Sequence, residues 1–321
     1  MGIGAVAPPG TRKMLIFPDL VYRLVPDPEL LDPHYLGLVM ASPLFRRQVE
    51  SAMRSTSGQF KISKDDLRSF VIPAPTLAEQ RRIVDVLEAL TDKRRAVMES
   101  LAKLKVLRSG WIESLNEGDR YRLDDIIVSG PQNGIYKPAS SYGLTGTRIV
   151  RIDSFNGGPS ELGQQLLRVD VSPSEIKRYG LSVGDLIVNR VNTVELVGKS
   201  TVVSRLDEVT IFESNVMRCR LSPDVAIPGF VEAWMSSGVV KRYFLQRAKS
   251  AVSQASINRE DVLSCPFPII PIGGQRDFLV TLRKIDARIE SEVLERRKLE
   301  QLGVGLAGDL LSEGLRMGQV G

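Results

Sequence analysis

The stretch IPAPTLAEQRRIVDVLEAL, residues 72–90, decides the architecture. A short apolar strand runs into prolines, and Thr76 is then followed three residues later by Glu79, the capping-box spacing that opens a helix. Apolar residues at helical spacing continue to about Asn116, a helix of roughly 40 residues or ~60 Å at 1.5 Å per residue. That exceeds an ordinary globular helix. Alternate steps of three and four give Leu87, Leu90, Arg94, Val97, Leu101, Leu104, Arg108, Trp111 and Leu115, of which seven are apolar. Such a stripe reads as a coiled-coil seam.

The same grammar returns 195 residues later. Residues 16–117 set against 211–312 without a gap give 23 identities in 102 positions, where composition alone would give roughly 6. Matched pairs include Arg23 with Arg218, Pro33 with Pro228, Gln59 with Gln254, Asp66 with Asp261, and Gln80-Arg81 with Gln275-Arg276. Each copy reads as a short apolar strand (LIFPDLVYRLV; TIFESNVMRCRL), a helix after a proline, a polar linker, a strand into prolines and a long helix. The second seam is Leu282, Ile285, Ile289, Glu292, Arg296, Leu299, Gly303, Leu306 and Leu310, interrupted by Glu292, Arg296 and Gly303. The economical arrangement packs the two long helices against each other as an antiparallel coiled coil; the alternative lays each on its own globular domain.

Composition bounds the rest. The chain has 321 residues, 43 Lys+Arg against 38 Asp+Glu, a formal charge of +5, 43% hydrophobic and 25% charged residues, the proportions of a soluble globular protein of about two domains. No apolar run approaches the ~20 residues of a membrane span, and the first residues lack a secretory signal, so a cytoplasmic location without membrane attachment is expected. The cysteines Cys219 and Cys265 lie far apart, and His34 is the only histidine, which removes most routes to a metal site and nearly excludes histidine-based catalysis. Both cysteines read as buried packing residues and His34 as a residue at a helix start.

Between the long helices, residues 118–270 read as a complete mixed domain, with strands at 147–152, 185–189 and 199–203. Residues 1–75 correspond only to about 196–270, so the first domain is expected to be partial, with the chain starting mid-domain. The expected organisation is a partial domain (1–75), a long helix (76–117), a complete domain (118–270), a second long helix (271–313) and a flexible tail (314–321). The fold class is α+β.

Chemistry-bearing motifs are scarce. Gly2-Ile-Gly4 and Gly303-Val-Gly305 lack the strand-to-helix context of a dinucleotide loop, and no GxxxxGK[ST] phosphate loop or Pro-Pro-aromatic methyltransferase motif occurs. Asp65-Asp66 and Asp124-Asp125, the nearest thing to a nuclease carboxylate cluster, read as helix-start caps. What remains suits a surface that reads a polyanion. Residues 133–137 form a turn bearing Tyr136 and Lys137. In the strand from Thr147 to Arg151, alternation sends Arg148 and Ile149 to opposite faces. Asn189, Arg190, Asn192 and Thr193 leave a strand, and such side chains make bidentate contacts with base edges worth ~1–3 kcal/mol of discrimination. Lys249, Ser253, Gln254 and Ser256 lie in the polar segment after the short helix, either a phosphate-tracking loop or a linker.

Several of these segments together resemble one family, the DNA specificity subunits of Type I restriction-modification systems. The carriers are Ile62-Ser-Lys-Asp-Asp-Leu67, then Ile72-Pro-Ala-Pro-Thr-Leu-Ala-Glu-Gln-Arg-Arg-Ile-Val84 and its long helix, with Gly184-Asp-Leu-Ile-Val-Asn-Arg190 and Val197-Gly-Lys199 in the complete domain. The resemblance implies two target-recognition domains that each read half of a split DNA sequence, held apart by two antiparallel helices. It implies no chemistry in the chain itself: partner modification subunits bind the helices and methylate adenine with S-adenosylmethionine, and a restriction subunit joins to translocate and cleave. The departure is the incomplete first domain, which makes a truncated or rearranged subunit the expectation and leaves self-association through the helices open. A competing expectation from another class is a coiled-coil scaffold that binds only protein.

Overall fold

The computed structural model describes residues 6–7, 18, 21–56, 59–158, 162, 166–250 and 254–317. The chain divides into two compact units, residues 1–102 with 290–321, and residues 103–289. Each long helix contributes to both units.

In the first unit, α1 (Pro33–Ala41) and α2 (Pro43–Ala52) are followed by the hairpin of β1 (Arg54–Thr56) and β2 (Gln59–Lys61), then by α3 (Lys64–Ser69) and the start of α4 (Leu77–Glu113). The helix starts are written locally. Asp32 caps α1, Ser42 caps α2, and Ser63 with Asp66 forms a reciprocal capping box on α3. Thr76 and Glu79 do the same for α4, the Thr76 amide and hydroxyl both donating to the Glu79 carboxylate. Tyr35 and Val39 of α1 pack on Ile83, Val84 and Leu87 of α4, forming the core of the unit.

The second unit adds many strands before repeating that pattern. After α4 come β3 (Arg120–Arg122), β4 (Ile127–Asn133), β5 (Tyr142–Gly143), β6 (Thr147–Val150), β7 (Arg168–Val169) and α5 (Pro173–Tyr179). Next are β8 (Leu186–Asn189), β9 (Val191–Asn192), β10 (Ser200–Val202), β11 (Thr210–Phe212) and β12 (Val216–Leu221). The second copy of the short elements then follows as α6 (Pro228–Met235), α7 (Gly238–Arg247), β13 (Lys249–Ser250), β14 (Ala255–Ser256) and α8 (Arg259–Leu263). It leads through β15 (Pro266–Pro268) to α9 (Ile272–Met317).

One antiparallel sheet has the order β10-β8-β12-β4, and a second, mixed sheet has the order β11-β6-β7-β5 with β11 and β6 parallel. The core of the unit lies between the first sheet and α6, α7 and the first turns of α9, with Trp234, Phe230, Phe244 and Phe267 at its centre. Glu232 of α6 accepts bonds from the Thr201 hydroxyl and the Val202 amide, both 2.8 Å, and so occupies the open edge of β10.

The internal repeat is exact at its joints. The start of α9 at Ile272 is 195 residues after Leu77, and α7 at 238–247 is 195 after α2. Buried Gln80 accepts from the Asp32 amide and donates to the carbonyls of Leu30 and Pro75. Buried Gln275 accepts from Ile227 and donates to Val225 and Ile270, which are the same three positions plus 195. One carboxamide in each copy thus ties the entry of a short helix to the entry of a long one, satisfying backbone groups that burial would otherwise leave unpaired.

The helical seam forms. Leu87, Val97, Leu101 and Leu115 are buried on α4 and its 3-10 extension, and Leu90, Leu104 and Trp111 are half-buried; on α9, Leu282, Ile285 and Leu299 are buried, with Ile289 and Leu306 half-buried. Leu310 is helical, but its side chain lies outside the described residues. Within the first unit Lys93 pairs with Glu295 at 3.0 Å and Ser100 donates to Glu292 at 3.2 Å. Within the second, Arg108 pairs with Asp286 at 2.6 Å and Trp111 stacks on Phe278 with centroids 5.4 Å apart. In both units residue numbers rise along α4 as they fall along α9, so the helices are antiparallel.

Four expectations are corrected. The described part of the apolar segment in the first copy, residues 21–26, is not a strand, although its counterpart forms β12. A strand exists through its partners: β12 lies between β8 and β4, whereas residues 21–26 pair with no strand among the described residues. Residues 70–76 likewise form no strand, whereas β15 pairs with β3. The polar linker is a β-hairpin in both copies. Finally, α9 continues to Met317, beyond the expected boundary at 313.

Candidate nucleic-acid interface

The structure brings two separate segments together. β14 pairs with β13 on one side and with β9 on the other, so Lys249, Ser256 and Asn192 share a three-stranded sheet, with Ala255 opposite Asn192 and Ser256 opposite Val191. Lys249, Gln254 and Thr193 are exposed there. Ser253 lies outside the described residues. Neutral hydrogen-bonding side chains beside an exposed cation on a sheet are suited to a polyanion with readable edges.

The residues leading into this sheet are held tightly. Asn189 is buried, and its amide donates to the Ile152 carbonyl at 3.1 Å, so it supports the site from inside rather than facing outward as expected for a base contact. Its Oδ1 and the buried Nε of Arg190 have no hydrogen-bond partner. Asn192 is also buried, its Oδ1 accepting from the Thr193 amide. Gly198 has φ of 77°, and a Cβ there would press on the Phe244 ring at 2.4 Å, so glycine is required where the loop after β9 turns back over α7.

The other candidate cations already have partners. Lys137 reaches Glu175 at 3.0 Å, Arg148 reaches Glu208 at 2.6 Å, and Arg151 reaches Glu213 at 3.4 Å while lying over the Tyr142 ring. Arg168 also binds Glu208 through both terminal nitrogens, and this bond foremost holds the Glu208 carboxyl below its ordinary range. Such partly exposed pairs are worth ~0–1 kcal/mol, so a phosphate can replace the carboxylate at little cost. Tyr136 stands 77% exposed beside Lys137, and Thr147 is half-buried on β6 opposite Val169. Tyr136, Arg148 and Arg151 therefore belong to the second sheet and its flank, while Asn192, Lys249, Gln254 and Ser256 belong to the three-stranded sheet.

Sequence reading misses the acidic partners Glu175, Glu208 and Glu213, because nothing in local spacing announces a contact across the fold. A weak signal exists for Glu213, which interrupts an apolar strand as TIFES. Cys219 and Cys265 are buried as expected, and burial pushes the Cys219 thiol up to about 12 and the Cys265 thiol higher still. Among the described residues, no group of three or more His, Cys, Asp or Glu is placed to hold a metal ion, and no helix is long and apolar enough to cross a membrane.

Residues 4–105 match the family described as the Type I restriction modification DNA specificity domain. The chain is similar to Type I DNA specificity subunits. It is 25% identical over 282 residues to the Type I restriction enzyme EcoKI specificity subunit of Escherichia coli K12, covering 81% of this chain and 60% of that protein. It is 21% identical over 267 residues to the EcoBI specificity subunit of Escherichia coli, covering 72% and 54%. The chain thus spans little more than half the length of these curated relatives. Among solved structures, the HsdS subunit from Thermoanaerobacter tengcongensis matches with a TM-score of 0.52 at 19% identity over 88% of this chain and 71% of that one. A chain from a structure on complex assembly and conformational transition of the type I R-M system matches with 0.60 at 18%, over 88% and 72%. These likenesses carry the fold alone, an α+β arrangement shared with those solved chains.

Proposed function

We propose that this specificity-subunit relative is the non-catalytic, DNA-reading member of a Type I modification complex. It directs a partner adenine-N6 methyltransferase, which carries the S-adenosylmethionine, to a target sequence, and a restriction subunit is a further partner. The observation that carries this reading is the pairing of β14 with β9, which sets Lys249, Gln254 and Ser256 beside the segment that ends at exposed Thr193. Lys249, Gln254, Ser256 and Thr193 then meet the DNA directly, with Tyr136, Lys137, Thr147, Arg148 and Arg151 on the flanking sheet. The paired helices offer the methyltransferase a rigid docking element. Double-stranded DNA in the cytoplasm is the expected substrate of the complex.

The test is single-molecule methylation mapping of DNA from cells that express the chain with a Type I adenine methyltransferase subunit, against cells that express the methyltransferase alone. A new adenine-methylated motif that depends on the chain supports the reading. A stable complex without any motif overturns it in favour of a protein-binding scaffold.

A further inference from the structure

The turn at residues 151–158 is gripped from inside the second unit at one peptide. The Lys199 ammonium and the Asn189 amide both donate to the Ile152 carbonyl, at 3.0 and 3.1 Å, while the Ile152 N–H donates to the Glu213 carboxylate at 3.0 Å. The grip continues along the turn. Lys199 lies 5.1 Å above the Phe155 ring, Phe155 is buried, and the Gly158 amide donates to the Ser200 carbonyl at 3.0 Å. Arg151 is fixed at its amide by the Ser154 hydroxyl at 2.8 Å. Between these anchors Asp153 and Asn156 stand exposed, and Gly157 and Gly158, both at positive φ, carry the chain back.

A lysine half-withdrawn from water is an expensive way to hold a loop, since burial disfavours its charged form and lowers its pKa, with nearby Asp153 opposing that shift. A hydrophobic side chain would fill the same space without that cost. What the ammonium adds is a directed bond to one carbonyl, and a directed bond fixes the angle at which the turn is presented. Preorganisation of this kind matters where a side chain must meet a partner within about 0.5 Å.

We propose that Asn156 is a specificity-determining residue presented to a DNA base edge by this turn, and that Lys199 is the positioning residue that fixes the turn through the Ile152 carbonyl. The inference rests on the DNA-reading function proposed above. It adds a reader to the interface and gives the buried end of the 189–199 segment a task.

The experiment is selection of bound duplexes from a randomised pool with the full chain, followed by competition binding for each base position. Asn156→Ala should lose about tenfold discrimination at one base position, the scale of one bidentate contact. Lys199→Met should lose discrimination at that same position, the double variant should lose no more than either single one, and Lys199→Arg, which restores a donor, should recover it. Ser154→Ala, which frees the Arg151 amide on the exposed side, should give a weaker version of the same defect and serves if Lys199→Met does not fold. The inference is overturned if Lys199→Met or Ser154→Ala weakens all sequences equally, or if the Asn156 and Lys199 effects add. A wild-type chain that selects no motif at all sinks the DNA-reading function itself, and the inference with it.

Discussion

The two copies of the repeat have matching helices and hairpins but different sheets. α1, α2 and α3 in the first unit recur as α6, α7 and α8 in the second. Ser42 and Ser237 cap α2 and α7 alike, capping boxes open both α3 and α8, and Gln80 and Gln275 make the same three bonds, whereas Asp32 caps α1 and Ile227 leaves α6 without a side-chain cap. Strands do not follow. The counterpart of β12 is irregular over residues 21–26, and the counterpart of β15 forms no strand. Helices carry their own hydrogen bonds and their own start signals, so a repeat of sequence is a repeat of helix. A strand is completed by a neighbour elsewhere in the chain, so the same residues are a strand in one context and a coil in the other.

The largest effect that sharpens this comparison should come from Trp234→Ala. Trp234 is fully buried and donates to the Pro266 carbonyl at 2.6 Å, and its loss should cost about 3–5 kcal/mol. Val39→Ala at the matching position should cost about 2 kcal/mol, because the first copy has a smaller core there. Denaturant unfolding that gives equal losses would break the idea that the second copy alone supports a full sheet.

Gln80→Leu and Gln275→Leu should each cost about 2–4 kcal/mol, since three backbone groups are left buried or poorly paired. The informative result is their similarity. If only one variant is destabilised, the equivalence of the two joints is wrong. Smaller again, Ser63→Ala and Asn258→Ala should each cost about 1 kcal/mol through loss of the matching capping boxes, read from the same unfolding curves.

The smallest effect separates the copies by pH. Burial lifts the Glu232 carboxyl above its ordinary 4.5, with the bonds from Val202 and Thr201 opposing the shift. The folded chain therefore holds that proton more tightly than the unfolded chain does, and the contribution of Glu232 to stability falls as pH rises from 4.5 through the raised value. Glu232→Gln removes this component while keeping the acceptor oxygen. The stability of wild type minus that of the variant should fall as pH rises across the window, measured by thermal melting; a flat difference would show that Glu232 does not titrate there. The first copy has Gly37 at the matching position, so a Gly37→Ala control should show no such slope.

Much of the fold is legible in the sequence because helices and repeats are periodic. Thr76 and Glu79 mark the start of α4, and the stepped positions from Leu87 to Leu115 mark its buried face. Even Glu292, which breaks the apolar pattern, occupies its seam position, buried with its carboxylate accepting from Ser100. The interface is less legible. The hairpin at Lys249–Ser256 hides in a polar segment without turn residues of a recognisable type, and its meeting with Asn192 is a tertiary event. Arg148 and Lys137 read as free cations because their partners, Glu208 and Glu175, lie 60 and 38 residues away. Asn189 reads as exposed because a polar residue ending an apolar strand usually is, yet here it bonds inward to the Ile152 carbonyl.

The central claim is that the surface made by β9, β13 and β14 reads DNA sequence. The most direct test is binding of the purified chain to a randomised duplex pool, with and without substitution of Lys249, Gln254 and Thr193 by alanine. The account predicts enrichment of one motif by the wild type, an affinity that falls steeply with salt by a slope of about 0.9 per neutralised phosphate, and loss of the motif in the triple variant with its fold intact. Enrichment that survives in the triple variant, or no enrichment by the wild type at any salt concentration, would contradict it.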